Sequence, residues 1–237
     1  MSQSYYLKSC ASTNDVIRPF LDNLPTVFSL YTFDQTSGRG QYGNSWQTSK
    51  DKNLAFSFAV KAQNLTIPFE LFNFYTASLI RDIMAKMTHL PFEIKWPNDL
   101  ILQKKKVAGM LIERFSQSGT SYYIIGIGVN VLGEINREFS HASSIFHLTG
   151  KQLPLHALAT ELHEGLKSGF IESKLPTKII EYYEQHLFQK DKVAVYEWDS
   201  VRQNGIIRGV TPQGELLVEN ENGKILAFYH KHIKMLY

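Results

Sequence analysis

The chemistry-capable residues of this 237-residue chain fall into short stretches marked by glycine, proline and lysine. The first is Gly38-Arg39-Gly40-Gln41-Tyr42-Gly43, which has the letters of the dinucleotide fingerprint G-x-G-x-x-G and follows a predicted strand. That fingerprint works only where a helix opens at the third glycine and its N-terminus holds a pyrophosphate. Here Asn44 to Lys52 is polar and leads to another strand, so a dinucleotide site is rejected. What remains is a glycine loop whose backbone N–H groups can approach an anion. Arg39 can grip a carboxylate or phosphate there with two parallel hydrogen bonds. A solvated linker would have a similar composition; Trp46 and the 17-residue span from Thr36 to Lys52 favour a functional loop.

Lys95-Trp96-Pro97-Asn98-Asp99 ends an apolar strand with a lysine, breaks at the proline and places Asn98 and Asp99 at a turn. Their side chains can bind backbone, a ligand or a cation, although an Asx-type turn with a charged edge has the same letters. Trp96 is read as core. In Lys104-Lys105-Lys106 the first two lysines read as a solvated hairpin tip. Lys106 begins the strand Val107 to Ile112 and can point along the sheet into a site, with Gly109 leaving the backbone open to a ligand. Gly126 and Gly128 alternate in an apolar strand ahead of Asn130, so they share one face. They read either as a surface cleared for a ligand or as a bulge or tight packing.

These stretches need a scaffold, and the apolar periodicity supplies one. Strands are predicted at 5–8, 26–33 and 53–60, with a helix between the first two whose face carries Val16, Ile17, Phe20, Leu21 and Leu24 after polar cap candidates at 12–15. An amphipathic helix is predicted over 69–88, then strands at 92–96, 99–102, 107–115 and 122–129, which form a mostly antiparallel sheet. Helices at 155–170 and 176–188 would cover one face of it. From Lys192 onward short strands alternate with turn residues, as in a small β-barrel. Two domains are therefore expected, 1–187 and 188–237, in an α+β fold.

Composition narrows the class. With 25 Lys+Arg against 22 Asp+Glu the formal charge is +3, weak for a dedicated nucleic-acid binder, so any role for cations is local. A single cysteine, Cys10, excludes a disulfide-stapled secreted domain and is read as core. Without a signal-peptide pattern or an apolar span, a cytoplasmic location is expected. No zinc spacing, P-loop or G-x-S-x-G elbow is present. His141, His147, His230 and His232 read as surface or satisfied core histidines.

Taken in order, Ser12-Thr13-Asn14, Gln35-Thr36-Ser37-Gly38-Arg39-Gly40 with Gly43 and Trp46, Asn53-Leu54, Lys95 to Asp99, Lys106-x-Ala108-Gly109 and Gly126-Ile127-Gly128-Val129-Asn130 resemble the biotin protein ligases. The resemblance covers nearly the whole chain. It implies a mixed sheet flanked by helices, similar to class II aminoacyl-tRNA synthetases, with an SH3-like C-terminal barrel. It also implies a two-step reaction: biotin and ATP give biotinyl-AMP and pyrophosphate, then a lysine of a biotin carboxyl carrier domain displaces AMP. By the same resemblance Arg39 and Lys106 are catalytic and bridge carboxylate and phosphate. Ser12, Thr13, Gln35, Gly38, Gly109, Gly126 and Gly128 join them around biotin. Asn14, Gly40, Gln41, Trp46, Asn53, Lys95, Asn98, Asp99 and Asn130 belong with Arg39 and Lys106 to the ATP and adenylate side. Mg²⁺ on the phosphates would lie near Asp99, Trp46 would act as a lid, and Lys231 is a barrel candidate for ligand contact.

Two departures stand out. The family often has arginine at the position of Gln41, a residue associated with retaining the adenylate. Only a few residues precede the first strand, so a monofunctional ligase without an operator-binding domain is expected. Edge strands leave pairing into a homodimer open. A lipoate or octanoyl ligase shares the adenylate logic, but its Arg-Arg and triple-glycine motif is absent. A nucleic-acid or peptide-binding module would need a basic-aromatic stripe in 188–237, where cations are offset by acids.

Overall fold

The computed structural model describes residues 4–23, 27–46, 49–65, 67–133, 141–171 and 176–236. Its main sheet has seven strands: β1 (Ser4–Leu7), β2 (Val27–Thr32), β5 (Asn53–Lys61), β6 (Glu93–Lys95), β7 (Asp99–Leu102), β8 (Lys105–Gln117) and β9 (Thr120–Asn130). They lie in the order β1-β2-β5-β9-β8-β7-β6, with β1 parallel to β2 and every other pair antiparallel. This is the mixed, mostly antiparallel sheet expected.

Alternation along the strands gives the sheet two unlike faces. Phe56, Phe58, Ile125 and Ile127 point to one side, where α2 (Phe69–Thr88), α4 (Leu155–Ile171) and α5 (Pro176–Gln185) bury Phe72, Tyr75, Leu158, Leu162 and Tyr183 against them. The other side carries Ala55, Ser57, Ala59, Gly126 and Gly128, small residues that cannot build a thick core. Its cover is thin: α1 (Thr13–Val16) and a 3-10 segment (Arg18–Asn23) seal one end with Ile17 and Leu21 over Leu30, Ala59, Tyr122 and Ile124. The longer helix expected at 13–24 does not form. Pro19 lacks the N–H that would continue it, and Phe20 turns out to solvent; Leu24 lies outside the described residues.

The described part of segment 36–52 is not structureless. β3 (Gly38–Arg39) pairs with β4 (Ser45–Trp46) around a 3-10 turn at Gln41–Gly43, where Gly43 takes a left-handed φ of 83°. A short helix that the sequence did not signal, α3 (Ile145–Thr149), is capped by the Ser144 hydroxyl, which accepts from the His147 N–H. The C-terminal strands β10 (Val193–Trp198), β11 (Val201–Val210), β12 (Leu216–Asn220), β13 (Ile225–Phe228) and β14 (Lys234–Leu236) form a separate antiparallel sheet, ordered β13-β12-β11-β10-β14. No β13–β14 pairing closes it among the described residues. Trp96 locks this sheet to the larger one by donating its Nε1–H to the Gly214 carbonyl at 3.1 Å. Among the described residues no helix is long and apolar enough to cross a membrane.

Candidate active site

The cleared face of the large sheet is the floor of a cavity of about 160 Å³. Its floor can be read from strand register. Lys95 pairs with Asp99, Asp99 with Gly109, Gly109 with Gly128 and Gly128 with Ala55, one row across five strands. The next row pairs Leu111 with Gly126 and Gly126 with Ser57. Because antiparallel partners share a face, each row leaves a trough above its glycines.

Lys106 reaches this face through a bulge. The register of β7 with β8 jumps between Leu100 and Ile101, pairing Leu100 with Ala108 but Ile101 with Lys106, so Val107 is the extra residue. Were Val107 paired regularly instead of bulged, Lys106, three positions from Gly109, would point to the helix side. The backbone at the bulge is held: Lys106 N–H donates to His141 O at 2.8 Å, and Ser143 N–H donates to Lys106 O at 3.0 Å. The ammonium sits 2.7 Å from Asp99 Oδ1 and 5.5 Å from the Trp46 ring centroid. Gly109 makes room for this pair, since a Cβ there would meet Asp99 Oδ1 and Lys106 Nζ at 3.0 Å.

Trp46 packs against the floor. A Cβ on Gly128 would collide with its indole, whose Nε1–H is enclosed without an acceptor among the described residues. Gly38 is needed for the same loop, because a Cβ there would collide with the Trp46 carbonyl and come within 2.5 Å of Gln35 Nε2. Gln35 Oε1 in turn accepts from the Thr13 N–H at 2.9 Å and from its hydroxyl at 3.2 Å. Ser12, Thr13 and Asn14 are all buried. Asn14 accepts from Ser57 Oγ at 2.6 Å, donates to Glu113 Oε2 at 2.7 Å and stands over Gly126.

Arg39 is held at the rim by a carboxylate pair. Its Nη1 and Nη2 donate to Asp15 at 2.8 and 3.0 Å, and Nη2 lies 3.3 Å from Glu113 Oε1. Arg18 joins the cluster at 3.2 Å from Asp15 and 3.4 Å from Glu113. Hydrogen bonding to Asp15 is the chief cause that keeps the Arg39 pKa above its ordinary value. Asp15 and Glu113 were not singled out from sequence, and nothing in their spacing marks them. Lys95 sits on the edge strand beside Asp99, and burial lowers its pKa despite the opposing Asp99 charge.

Of the residues singled out from sequence, Ser12, Thr13, Asn14, Gln35, Arg39, Gly40, Gln41, Trp46, Asn98, Asp99, Lys106, Gly109, Gly126 and Gly128 line the one cavity. Gly38, Lys95, Asn53 and Asn130 stand behind it. Asn53 Oδ1 accepts from the Val131 N–H at 3.1 Å, and Asn130 pairs with Asn53 at the ends of β9 and β5. Asn98 also spends its amide on the backbone, donating to the Met110 carbonyl. Lys231 is exposed, and its neighbour His230 is the barrel residue that lines the cavity. That corrects the surface-or-core reading of His230. Cys10 is half-buried rather than core, with its thiol pushed up to about 11 by desolvation and then by Asp34.

Comparison with known proteins identifies the family. Residues 9–130 match the biotin/lipoate A/B protein ligase family. The chain is 24% identical over 216 residues to the bifunctional ligase/repressor BirA of Escherichia coli, covering 89% of this chain and 67% of that protein. It is 26% identical to the chloroplastic biotin–protein ligase 1 of Arabidopsis thaliana, covering 92% and 63%. It thus spans about two-thirds of the length of these relatives. The biotin protein ligase of Aquifex aeolicus, solved with biotin and ATP, superposes with a TM-score of 0.81 over 99% of this chain and 98% of that one at 24% identity. The Leishmania major enzyme, solved with biotinyl-5-AMP, gives 0.68 over 96% and 98% at 22%. The chain belongs to the biotin/lipoate A/B protein ligase family.

Proposed function

We propose that the chain is an ATP-dependent biotin–protein ligase that makes biotinyl-5'-AMP and passes the biotinyl group to a lysine of a carboxyl carrier domain. The observation that carries this reading is a glycine-floored trough with a cation at each side, Arg39 on a hairpin and Lys106 on a bulge. Two anions, a carboxylate and a phosphate, must be brought within about 3–3.5 Å for the first step. Fixed positive charge in a partly enclosed site offsets their repulsion.

In the first step a biotin carboxylate oxygen attacks the α-phosphorus and pyrophosphate leaves. Arg39 exchanges its bond to Asp15 for the incoming anion, a swap of one carboxylate for another. Lys106 does the same from Asp99. The neutral ureido ring suits the Ser12, Thr13 and Gln35 end, where polar groups carry no charge. In the second step the acceptor amine adds to the acyl carbon and AMP departs with the C–O electron pair. Magnesium would arrive on the ATP phosphates. Among the described residues Asp99 is the one carboxylate lining the cavity, and no cluster of three or more His, Cys, Asp or Glu that could hold a metal occurs. That fits an ion bound chiefly by phosphate and water. The proposed division at 187/188 places catalysis on the large sheet, with the C-terminal sheet supplying His230.

The test is to mix the protein with Mg-ATP and biotin, measure pyrophosphate release, and follow label onto a carrier-domain lysine. Activity with lipoate in place of biotin would overturn the substrate; no reaction with either acid would overturn the ligase reading.

A further inference from the structure

A second cavity, of about 390 Å³, adjoins the first and shares Gln41 and His230 with it. It runs between the start of α2, the Trp96-Pro97 turn and the C-terminal sheet. Its chemistry differs from that of the first. Phe69, Phe72, Phe74, Trp96 and Tyr229 present aromatic surface, and among the described residues Glu70 is the single acid and no lysine or arginine lines it. A triphosphate or pyrophosphate would meet a carboxylate and no cation there. An ammonium on an alkyl stem would meet ring faces along its length and a carboxylate at the mouth.

The channel is firmly built yet open at its outer end. Asn73 Nδ2 donates to Pro97 O at 3.0 Å, Tyr183 Oη donates to the same carbonyl at 3.1 Å, and Trp96 is tied to Gly214. Phe69 stacks on Tyr123 with centroids 5.5 Å apart, yet Phe69 and Tyr229 are each 54% exposed. Two exposed aromatics flanking a cavity that leads into a reaction site mark a place where something enters.

We propose that this second cavity is the entry channel for the acceptor lysine, and that His230 at its inner end receives the amine's proton. The proposal rests on the ligase reading above. Lysine arrives as an ammonium and attacks only as the amine. The ammonium first gives one proton to solvent; the Nζ lone pair of the amine then forms the C–N bond to the acyl carbon of biotinyl-AMP, the C–O bond to phosphate breaks, AMP leaves with that electron pair, and a second Nζ proton passes to the His230 imidazole. His230 stacks edge-on to Trp96 at 5.4 Å. It is faced by Asp99 and Lys106 of the large sheet, Lys95 at its edge and Lys231 of its own loop. Burial, with the three lysines, favours the neutral ring over the opposing effect of Asp99, leaving it able to accept a proton.

The experiment compares the unaltered enzyme with Glu70→Lys, Phe69→Ala and His230→Asn in three assays. These are biotin-dependent ATP–pyrophosphate exchange, transfer to an apo carrier domain, and transfer to n-butylamine and to hydroxylamine. For Glu70→Lys, transfer to carrier and to butylamine should each fall about tenfold relative to exchange, while capture by small, uncharged hydroxylamine keeps pace with exchange. Phe69→Ala should raise KM for butylamine, and His230→Asn should lower kcat of transfer and move its rise with pH to higher pH. If carrier transfer falls but butylamine does not, Glu70 is only a docking contact and the channel is wrong. If neither falls, it is also wrong. Absence of biotin-dependent exchange in the unaltered enzyme would instead defeat the ligase reading itself.

Discussion

Gly128→Ala is the sharpest probe of how the site works. The three atoms nearest a Cβ at this position all belong to Trp46, with Cζ2 and Nε1 at 2.5 Å and Cε2 nearer still. Ordinary contact begins near 3.4 Å, so the indole must withdraw by about 0.9 Å or more. No other neighbour is touched among the three nearest atoms, and alanine is at least as acceptable as glycine within a strand. The substitution should therefore dislodge the loop while leaving the sheet folded. A displacement of about 1 Å in a positioning group costs on the order of 100-fold in rate. Biotin-dependent pyrophosphate exchange should fall by about that factor, with far-ultraviolet circular dichroism unchanged. Trp96 and Trp198 are both nearly buried, so a red shift of tryptophan emission in the ligand-free variant reports Trp46. Exchange within about threefold of the parent, with unshifted emission, would refute the role given to this contact.

Three further outcomes are expected. Lys106→Met should lower kcat of exchange by about 10²–10³-fold, the usual loss of one preorganised charge donor, with little change in melting temperature because the Asp99 pair is partly solvated; a near-parental kcat removes Lys106 from the mechanism. Asn14→Ala strands the Ser57 hydroxyl and one Glu113 contact, so stability should drop by about 1–3 kcal/mol in urea titration and biotin affinity should weaken, whereas an unchanged midpoint would show that the network is not structural. His163 is 2% exposed, with Nδ1 2.8 Å from Ser29 Oγ, and burial lowers its pKa from 6.5. Its contribution is complete above about pH 6.5 and is lost as pH falls, because the unfolded chain then binds a proton the folded one resists. The melting temperature should decline below pH 6.5 less steeply in His163→Gln than in the parent, and equal slopes would assign the decline elsewhere.

What the sequence revealed followed strong periodicity. The helix at Phe69–Thr88 and the strand at Asp99–Leu102 lie where apolar spacing puts them, and Gly126 and Gly128 share one face as their alternation requires. The features that escaped detection depend on distant partners. Arg39 meets Asp15 across 24 positions and Glu113 across 74, and no local pattern encodes such a pairing. His230 enters the site because a whole sheet docks through Trp96 and Gly214. The one local signal that was present and unused was the spacing of Lys106 and Gly109. Two residues three apart that serve the same face of a strand require an irregularity between them.

That irregularity makes the placement of charge a matter of strand register rather than of the bulged residue's identity. Val107 is fully buried, and another apolar side chain of similar size could replace it without moving Lys106. Removing the residue altogether would restore even pairing, with Lys106 two positions from Gly109 and still on the face of Asp99. The side of the sheet that receives the charge is therefore written in the pairing of Ile101 with Lys106, so this stretch of chain tolerates a change in the bulged residue, or its loss, better than a slip of the strand by one position.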